Sequence, residues 1–421
     1  MRTATKGHDL MVNSDGRVGT LPTPLAWRLR GGRQGFVLAS FAGLVACALG
    51  VRWALGPFSS PDVRIYLAPW YLHLQQQGFS GFREAFADYN PPYLYLLYLA
   101  SLFHLPALVA VKAVSALGDV SLAFAVAAVV RQVRGGRLVP WAAGLGTMFV
   151  PTVFLNSAAW GQTDAMYASI LLWSLFYCLR DQHLLSWLIF GVAFAFKLQA
   201  VFLLPFLLLI WLLGGRQRWW TPVVALVGPI VALVPAWLAG RPLGSLLHIY
   251  STQAGSLHFL AYGPSLPGWF PRQDEAIFAR LFVVLTVAAM LAIFALVGAR
   301  PAVLSDPSRR LSLAALVLMT VPFLLPHMRE RYFFPGEILV LVLAFARPRS
   351  AWLAVVTLTV SMLCYLEILL GVALPVSLAV LSLAILVVLI GLARESGLGL
   401  PATIDLAHEG RRSHEPERSL R

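Results

Sequence analysis

The sequence predicts an all-α, polytopic integral membrane protein with about 12 transmembrane helices. Three observations carry that reading. Hydrophobic residues make up 59% of the 421 positions, charged residues only 12%, and the mean hydropathy is +0.75. A water-soluble chain of this size could not hide so much apolar side chain. The apolar residues are also gathered into runs long enough, singly or when tilted, to cross a bilayer. Finally, Lys and Arg fall into alternate connections.

The first 34 residues are polar, with Arg28, Arg30 and Arg33 just ahead of an apolar run at 36–55. That run is too long and too far from the start for a cleaved signal peptide, and reads as a signal-anchor span. Further runs follow at 108–130, 138–155, 165–179, 184–196, 199–213, 220–239, 276–298, 311–326, 333–346, 351–369 and 374–393. The expected organisation is a cytoplasmic tail over 1–34, a membrane domain over 35–395 and a second cytoplasmic tail over 396–421. Long outer loops are expected at 56–107 and 240–275. With both termini inside, 22 of the 32 Lys and Arg lie on the cytoplasmic side. The net charge of +13 therefore reflects membrane orientation rather than affinity for nucleic acid.

One run is decided by this rule. Pro91 to Phe103 is about a dozen residues. If it crossed, the basic stretch Arg131–Arg137 would lie outside, so it reads as an interfacial or re-entrant helix of the first outer loop, with Pro at its start. Cys47, Cys178 and Cys364 sit in apolar runs without metal or redox spacing and read as small buried hydrophobes.

Ionisable groups are costly near a bilayer, so their placement is informative. Here they gather at the predicted outer ends. The first loop carries Asp62, Arg64, His73, Arg83, Glu84 and Asp88. Later outer turns read Asn156-Ser157-Ala158-Ala159-Trp160-Gly161-Gln162-Thr163-Asp164, Lys197-Leu198-Gln199 and Pro326-His327-Met328-Arg329-Glu330-Arg331-Tyr332. Carboxylates, cations, amides and aromatic rings at one membrane level suit transfer of a sugar from a lipid phosphate. A carboxylate takes the acceptor proton, cations hold the departing phosphate, and Trp or Tyr packs on sugar faces.

The same stretches carry a resemblance. Asp62 follows the first span, with Trp70, Gly78 and then Asp88-Tyr89-Asn90-Pro91-Pro92-Tyr93 downstream. Trp160-Gly161-Gln162-Thr163-Asp164, Lys197-Leu198-Gln199 ahead of Pro205, and His327 to Pro335 complete the set. In order and spacing these resemble the GT-C glycosyltransferases, and most of all bacterial relatives of the second mannosyltransferase of GPI-anchor synthesis. The resemblance spans most of 50–350. It implies a polyprenyl-phosphate sugar donor, an outward-facing site, inversion at the anomeric carbon, and a bacterial plasma membrane. It also implies a first-loop Asp as general base, which is Asp62 here, with Asp88 as a competitor. In relatives the residue after the Lys is often Pro, and here it is Leu198.

On this reading Tyr89, Asn90, Trp160, Gln162, Asp164 and Gln199 bind sugar or acceptor. Lys197, His327, Arg329, Arg331 and Tyr332 hold the donor phosphate. Plainer readings stand beside these. Ser59-Ser60-Pro61-Asp62 is good helix-start chemistry, so Asp62 can serve as a cap. Asp88 can form a turn ahead of Pro91. Trp160, Asp164 and Tyr167 would share one face if a helix began at Trp160. Lys197 can snorkel, and Glu330 can pair with an Arg while His327, Glu330 and Arg331 cluster on a helix. Asp119, seven residues from Lys112, reads as part of a structural ion pair or a polar helix contact. His248, His258, Tyr262 and Trp269 of the second loop are candidates for acceptor recognition.

No residue cluster asks for a resident metal or cofactor, although a divalent ion bridging the donor phosphate is compatible with the pattern. The expected partners are the polyprenyl-phosphate sugar, a lipid-linked or glycan acceptor, and the bilayer. A twelve-span transporter, or a flippase or scaffold of a glycan pathway, is the alternative. Transporters, however, usually carry internal repeats and midplane polar sites, and no repeat is visible.

Overall fold

The computed structural model describes residues 24–215, 217–255, 261–270 and 275–399, without side chains for 24–38, 254, 255, 261 and 262. The remainder of both expected tails, and His258, lie outside the described residues. The chain divides into two compact units, Met1–Val51 and Arg52–Arg421.

In chain order the helices are α1 (Pro24–Ala54), α2 (Ala68–Gln77), α3 (Pro91–Ser101), α4 (Ala107–Arg134), α5 (Leu138–Thr147) and α6 (Pro151–Phe154). Next come α7 (Asp164–Leu179), α8 (His183–Phe196), α9 (Leu204–Leu213), α10 (Val227–Leu238), α11 (Leu243–Leu247) and α12 (Ile249–Gly255). The last are α13 (Glu275–Gly298), α14 (Pro307–Leu324), α15 (Phe334–Ala346), α16 (Ala351–Leu370) and α17 (Leu378–Glu395). The described strands are a two-residue parallel pair, β1 (Ala261–Tyr262) against β2 (Met328–Arg329).

Every apolar run of the sequence is helical. Among the described residues five helices are long and apolar enough to cross a membrane, or six if the 48° bent pair Leu138–Thr147 and Pro151–Ala159 is one span. Shorter apolar helices, such as Asp164–Leu179 and His183–Phe196, are packed among them. The first helix differs from expectation: it begins at Pro24, inside the predicted polar tail. Pro91–Ser101 is helical as the double proline predicts.

Without a hydrophobic force between helices in lipid, close backbone approach and hydrogen bonds hold the bundle. Gly191 of α8 and Gly228 of α10 meet at such a point, where a Cβ on Gly191 would lie 2.0 Å from the Ala225 carbonyl oxygen. Ser174 of α7 donates to the Ser186 carbonyl of α8 at 2.8 Å. Asp119 of α4 is fully buried, and its partner is Arg52 (2.7 Å) rather than the expected Lys112. Lys112 instead donates to the carbonyls of Leu55 (2.8 Å) and Gly56 (2.9 Å), at the C-terminal end of α1 where a cation is favoured. Cys178 and Cys364 are buried as expected, but Cys47 is exposed.

The ends of the helices differ in chemistry. At one end Arg310 reaches Asp181 (2.8 Å), and Arg347 joins Asp306 and Glu395 (both 3.2 Å). Helices α7 and α15 end there. Their other ends begin at Asp164 and just after Arg331, where the polar motifs converge.

Candidate active site

Asp62 follows α1 and precedes an unusual stretch. Ser60, not Asp62, caps the turn: its Oγ accepts from the Val63 N–H at 3.2 Å, with Pro61 following. The Asp62 side chain is thereby left for other contacts. Val63–Leu67 is a π-helical turn leading into α2, where Pro69 lacks the N–H that an α-helical ladder would need.

A second π-turn, Leu155–Ala159, precedes Trp160. Gly161 then breaks the chain with φ +76°, and a Cβ there would fall 2.5 Å from Val63 Cγ2. Both the left-handed backbone and the close packing against the Asp62 turn demand glycine. Helix α7 starts only at Asp164. Trp160, Asp164 and Tyr167 therefore do not form the single helical face that the spacing suggested.

The two π-turns place Trp160 and Gln162 on Asp62. One carboxylate oxygen, Oδ2, accepts from Trp160 Nε1 (3.0 Å), Gln162 Nε2 (2.6 Å) and Arg331 Nη1 (2.8 Å). Oδ1 has no hydrogen-bond partner among the described residues. Tyr89 extends the chain of contacts by donating to Gln162 Oε1 at 3.1 Å. Arg331 also lies over the Trp160 ring, 5.1 Å from its centroid.

Asp62, Tyr89, Gln162 and Arg331 line a cavity of about 250 Å³. Of the residues predicted from sequence, it brings together Asp62, Asp88, Tyr89, Gln162 and Lys197, joined by Gln199, Arg329, Arg331 and Tyr332. Lys197 does not snorkel. It is buried, pairs with Asp164 Oδ1, and lies over the Tyr89 (5.6 Å) and Tyr167 (5.5 Å) rings.

Four predicted residues stand behind or beside the cavity. Trp160 orients Asp62. Asp164 holds Lys197 and accepts from Asn156 Nδ2 at 2.8 Å. Asn90 donates to the Ala195 carbonyl at 3.1 Å. His327 has φ +62° and lies 3.7 Å from Glu275. Residues 327–331 are not helical, because Met328–Arg329 is a strand and Glu330–Phe333 a 3-10 turn. The expected His327, Glu330 and Arg331 face is thus absent. Glu330 is buried, its Oε1 is unpartnered, and no arginine reaches it within 4.0 Å among the described residues.

Sequence reasoning did not assign Tyr66, Leu67, Trp70 and Gln253, which also line the cavity. A signal was present: Asp62, Tyr66 and Trp70 follow at steps of four, one face of a helical segment. In the second loop, Trp269 donates to Ser382 Oγ at 2.7 Å and Tyr262 pairs in the strand with Arg329.

Charge separates the two carboxyls. Burial alone would raise Asp62. The Arg331 guanidinium, by charge and hydrogen bond, outweighs it together with the Trp160 indole and Arg329, and holds the group below its ordinary 3.8. At Asp88 burial dominates and the carboxyl is raised, with its own backbone N–H, Arg331 and Lys197 opposing and Asp62 adding repulsion. One carboxylate is fixed and ionised; the other is poised nearer neutrality. Among the described residues no group of three His, Cys, Asp or Glu is placed to hold a metal ion.

A profile of glycosyltransferase family 87 matches residues 86–326, more than half of the chain. The chain belongs to glycosyltransferase family 87. Its fold is also of the GT-C type. The crystal structure of ArnT from Cupriavidus metallidurans bound to undecaprenyl phosphate superposes with a TM-score of 0.52 at 15% identity, over 86% of this chain and 78% of that one. The apo structure of the same protein gives 0.49 at 16% identity, over 87% and 78%. No curated protein matches. The family 87 match runs from the Asp88 motif to the start of the Pro326–Tyr332 turn. Asp62 lies 24 residues ahead of its start and Arg331 five residues beyond its end.

Proposed function

We propose that this family 87 protein moves a sugar, mannose, from a polyprenyl-phosphate donor to a lipid-linked or envelope glycan acceptor, with inversion, on the outer face of a bacterial plasma membrane. The observation that carries the reading is Asp62: an ionised carboxylate opening into a cavity whose other walls supply Lys197, Arg329 and Arg331. A base and a phosphate clamp are the two devices the reaction needs. Support for the donor comes from the ArnT structure, which binds undecaprenyl phosphate and shares this fold. Support for mannose comes from the resemblance to the second GPI mannosyltransferase.

In this mechanism Asp62 Oδ1 takes the proton of an acceptor hydroxyl while Oδ2 stays held by Trp160 and Gln162, Arg331 having turned to the donor phosphate. The hydroxyl oxygen attacks the anomeric carbon from the face opposite the phosphate. The carbon–oxygen bond to phosphate breaks, and polyprenyl phosphate leaves with the electron pair, its charge met by Lys197, Arg329 and Arg331. Tyr89, Gln162 and Gln199 bind sugar hydroxyls. Asp88, raised toward its neutral form, hydrogen-bonds a neighbouring acceptor hydroxyl. A divalent ion on the donor phosphate would find Asp62 Oδ1 and Asp88 open to it, and activity in EDTA against added Mg²⁺ or Mn²⁺ reads that contribution.

The test is donor specificity. Purified protein in nanodiscs is given polyprenyl-phosphate mannose, glucose or arabinose with a mixed acceptor pool, and release of polyprenyl phosphate is followed. Release from the mannose donor is expected. Release from another sugar only would overturn mannose and keep the chemistry. A solute flux in proteoliposomes without any release would favour the transporter reading.

A further inference from the structure

A second cavity, of about 480 Å³, adjoins the first and shares Tyr66, Trp70 and Asp88 with it. Two aromatic rings and a carboxyl thus stand on the boundary between the two cavities. Its far wall is built by the second loop, with Arg241, Ser245, His248 and Thr252.

Arg241 is the unusual member. It is 3% exposed. Its backbone is fixed at the end of α10, where its N–H donates to the Ala236 carbonyl at 3.1 Å and Pro242 leads into α11. The side chain makes one hydrogen bond, Nε to Ser245 Oγ at 3.2 Å, and no carboxylate lies within 4.0 Å among the described residues. A helix C-terminus favours a cation, yet no carboxylate balances this one among the described residues, and its Nη groups are not closed off from the cavity. Its free N–H groups form a planar fork that matches a phosphate. His248 stands on the rim of the same cavity, with Nδ1 3.4 Å from Ser251 Oγ.

We infer that the second cavity is the acceptor site, and that Arg241, assisted by His248, binds a phosphate group carried by the acceptor. The inference rests on the glycosyl-transfer reading. It assigns a two-cavity division of labour: the donor phosphate at Lys197 and Arg331, the acceptor phosphate at Arg241. Tyr66 and Trp70 line the passage through which the acceptor sugar presents its hydroxyl to Asp62. An uncharged glycan would leave Arg241 unpaired, so an anionic glycoconjugate is favoured over a neutral one.

The test needs no donor and no turnover. Full-length protein in zwitterionic nanodiscs is titrated with octyl glucoside 6-phosphate and with uncharged octyl glucoside, both below micelle formation. The phosphate ester is expected to bind at least 10-fold more tightly, with a preference that falls as salt rises. Arg241→Gln should abolish the preference, Arg241→Lys should restore part of it, His248→Gln should weaken it, and Arg331→Gln should retain it. A thermal melt of each variant checks folding, and His248→Gln carries the test if Arg241→Gln does not fold. Equal binding of the two glycosides would overturn the proposal, as would a preference that survives Arg241→Gln or one that depends on Arg331. Polyprenyl phosphate release by the wild type in the same preparation reports on the transfer reading separately.

Discussion

Arg331 Nη1 lies 2.8 Å from Asp62 Oδ2, so a cation assigned to the leaving phosphate also sets the acidity of the base. A phosphate arriving in the cavity competes with Asp62 for this guanidinium. As Arg331 turns to the donor, Asp62 loses its strongest stabiliser and becomes a better proton acceptor. On the proposed mechanism the base is thus restrained until the donor is bound.

This coupling has a pH consequence. Asp62 is held below 3.8, so in the free wild-type enzyme it loses its proton at lower pH than an ordinary aspartate. The acid limb of kcat/KM should therefore lie below the ordinary carboxylate range. Arg331→Gln removes the first opposing cause, and burial then raises the group. Its limb should move to higher pH, and kcat/KM should fall by about 10²–10³ at every pH, the usual effect of losing one preorganised donor. A limb that stays in place would show that Arg331 does not tune Asp62. The stability linkage has the same sign: a depressed carboxyl stabilises the fold above its unfolded value, and the gain is lost as pH falls through the folded value.

Lys197 and Asp164 test charge against packing. The pair is almost fully buried, with side chains 5% and 1% exposed. Removing one partner strands the other, at a cost of about 3–5 kcal/mol. Lys197→Met and Asp164→Leu should each lower the thermal midpoint sharply. The double variant should regain much of the loss yet remain inactive, because the cation over Tyr89 is gone. Thermal unfolding and transfer assays on all three proteins check this. An active double variant would remove Lys197 from the phosphate clamp.

Gly161 tests the local geometry that aims Trp160 and Gln162. An alanine there meets Val63 Cγ2 and must hold φ near +76°. The conformation alone costs about 1–2 kcal/mol. Gly161→Ala should destabilise the fold and displace the Asp62 turn, and adding Val63→Ala should relieve the collision but not the backbone strain. A Gly161→Ala protein that melts and turns over like the wild type would contradict the assigned packing.

Asp119 separates structure from chemistry. With Arg52 and Ser157 as partners it lies within α4, outside the cavity. Asp119→Ala should cost about 3–5 kcal/mol by removing the carboxylate that balances the Arg52 charge, reducing the yield of folded protein. The kcat of the folded fraction should not change.

Much of the fold was legible because a bilayer writes its demands in hydropathy: every apolar run is a helix, and the polar motifs collect at one end of α7 and α15. Less was legible where hydrogen-bond geometry decides. Nothing in Val63–Leu67 or Leu155–Ala159 announces a π-turn, although Pro69 and Gly161 mark where regular helix fails. Without those turns the sequence puts Trp160 on the face of Asp164, whereas the structure turns it onto Asp62. Asp119 paired with Arg52 because distance along one helix says nothing of a neighbouring one. Arg241 carried no motif, and its significance appears only once burial and the missing partner are seen together.

The most direct measurement of the central claim compares wild type with Asp62→Asn in single-turnover transfer from polyprenyl-phosphate mannose, with thermal melting of both. Asp62→Asn should fold, still bind polyprenyl phosphate, and transfer no sugar. Transfer at the wild-type rate by Asp62→Asn would contradict that claim and move the base to Asp88.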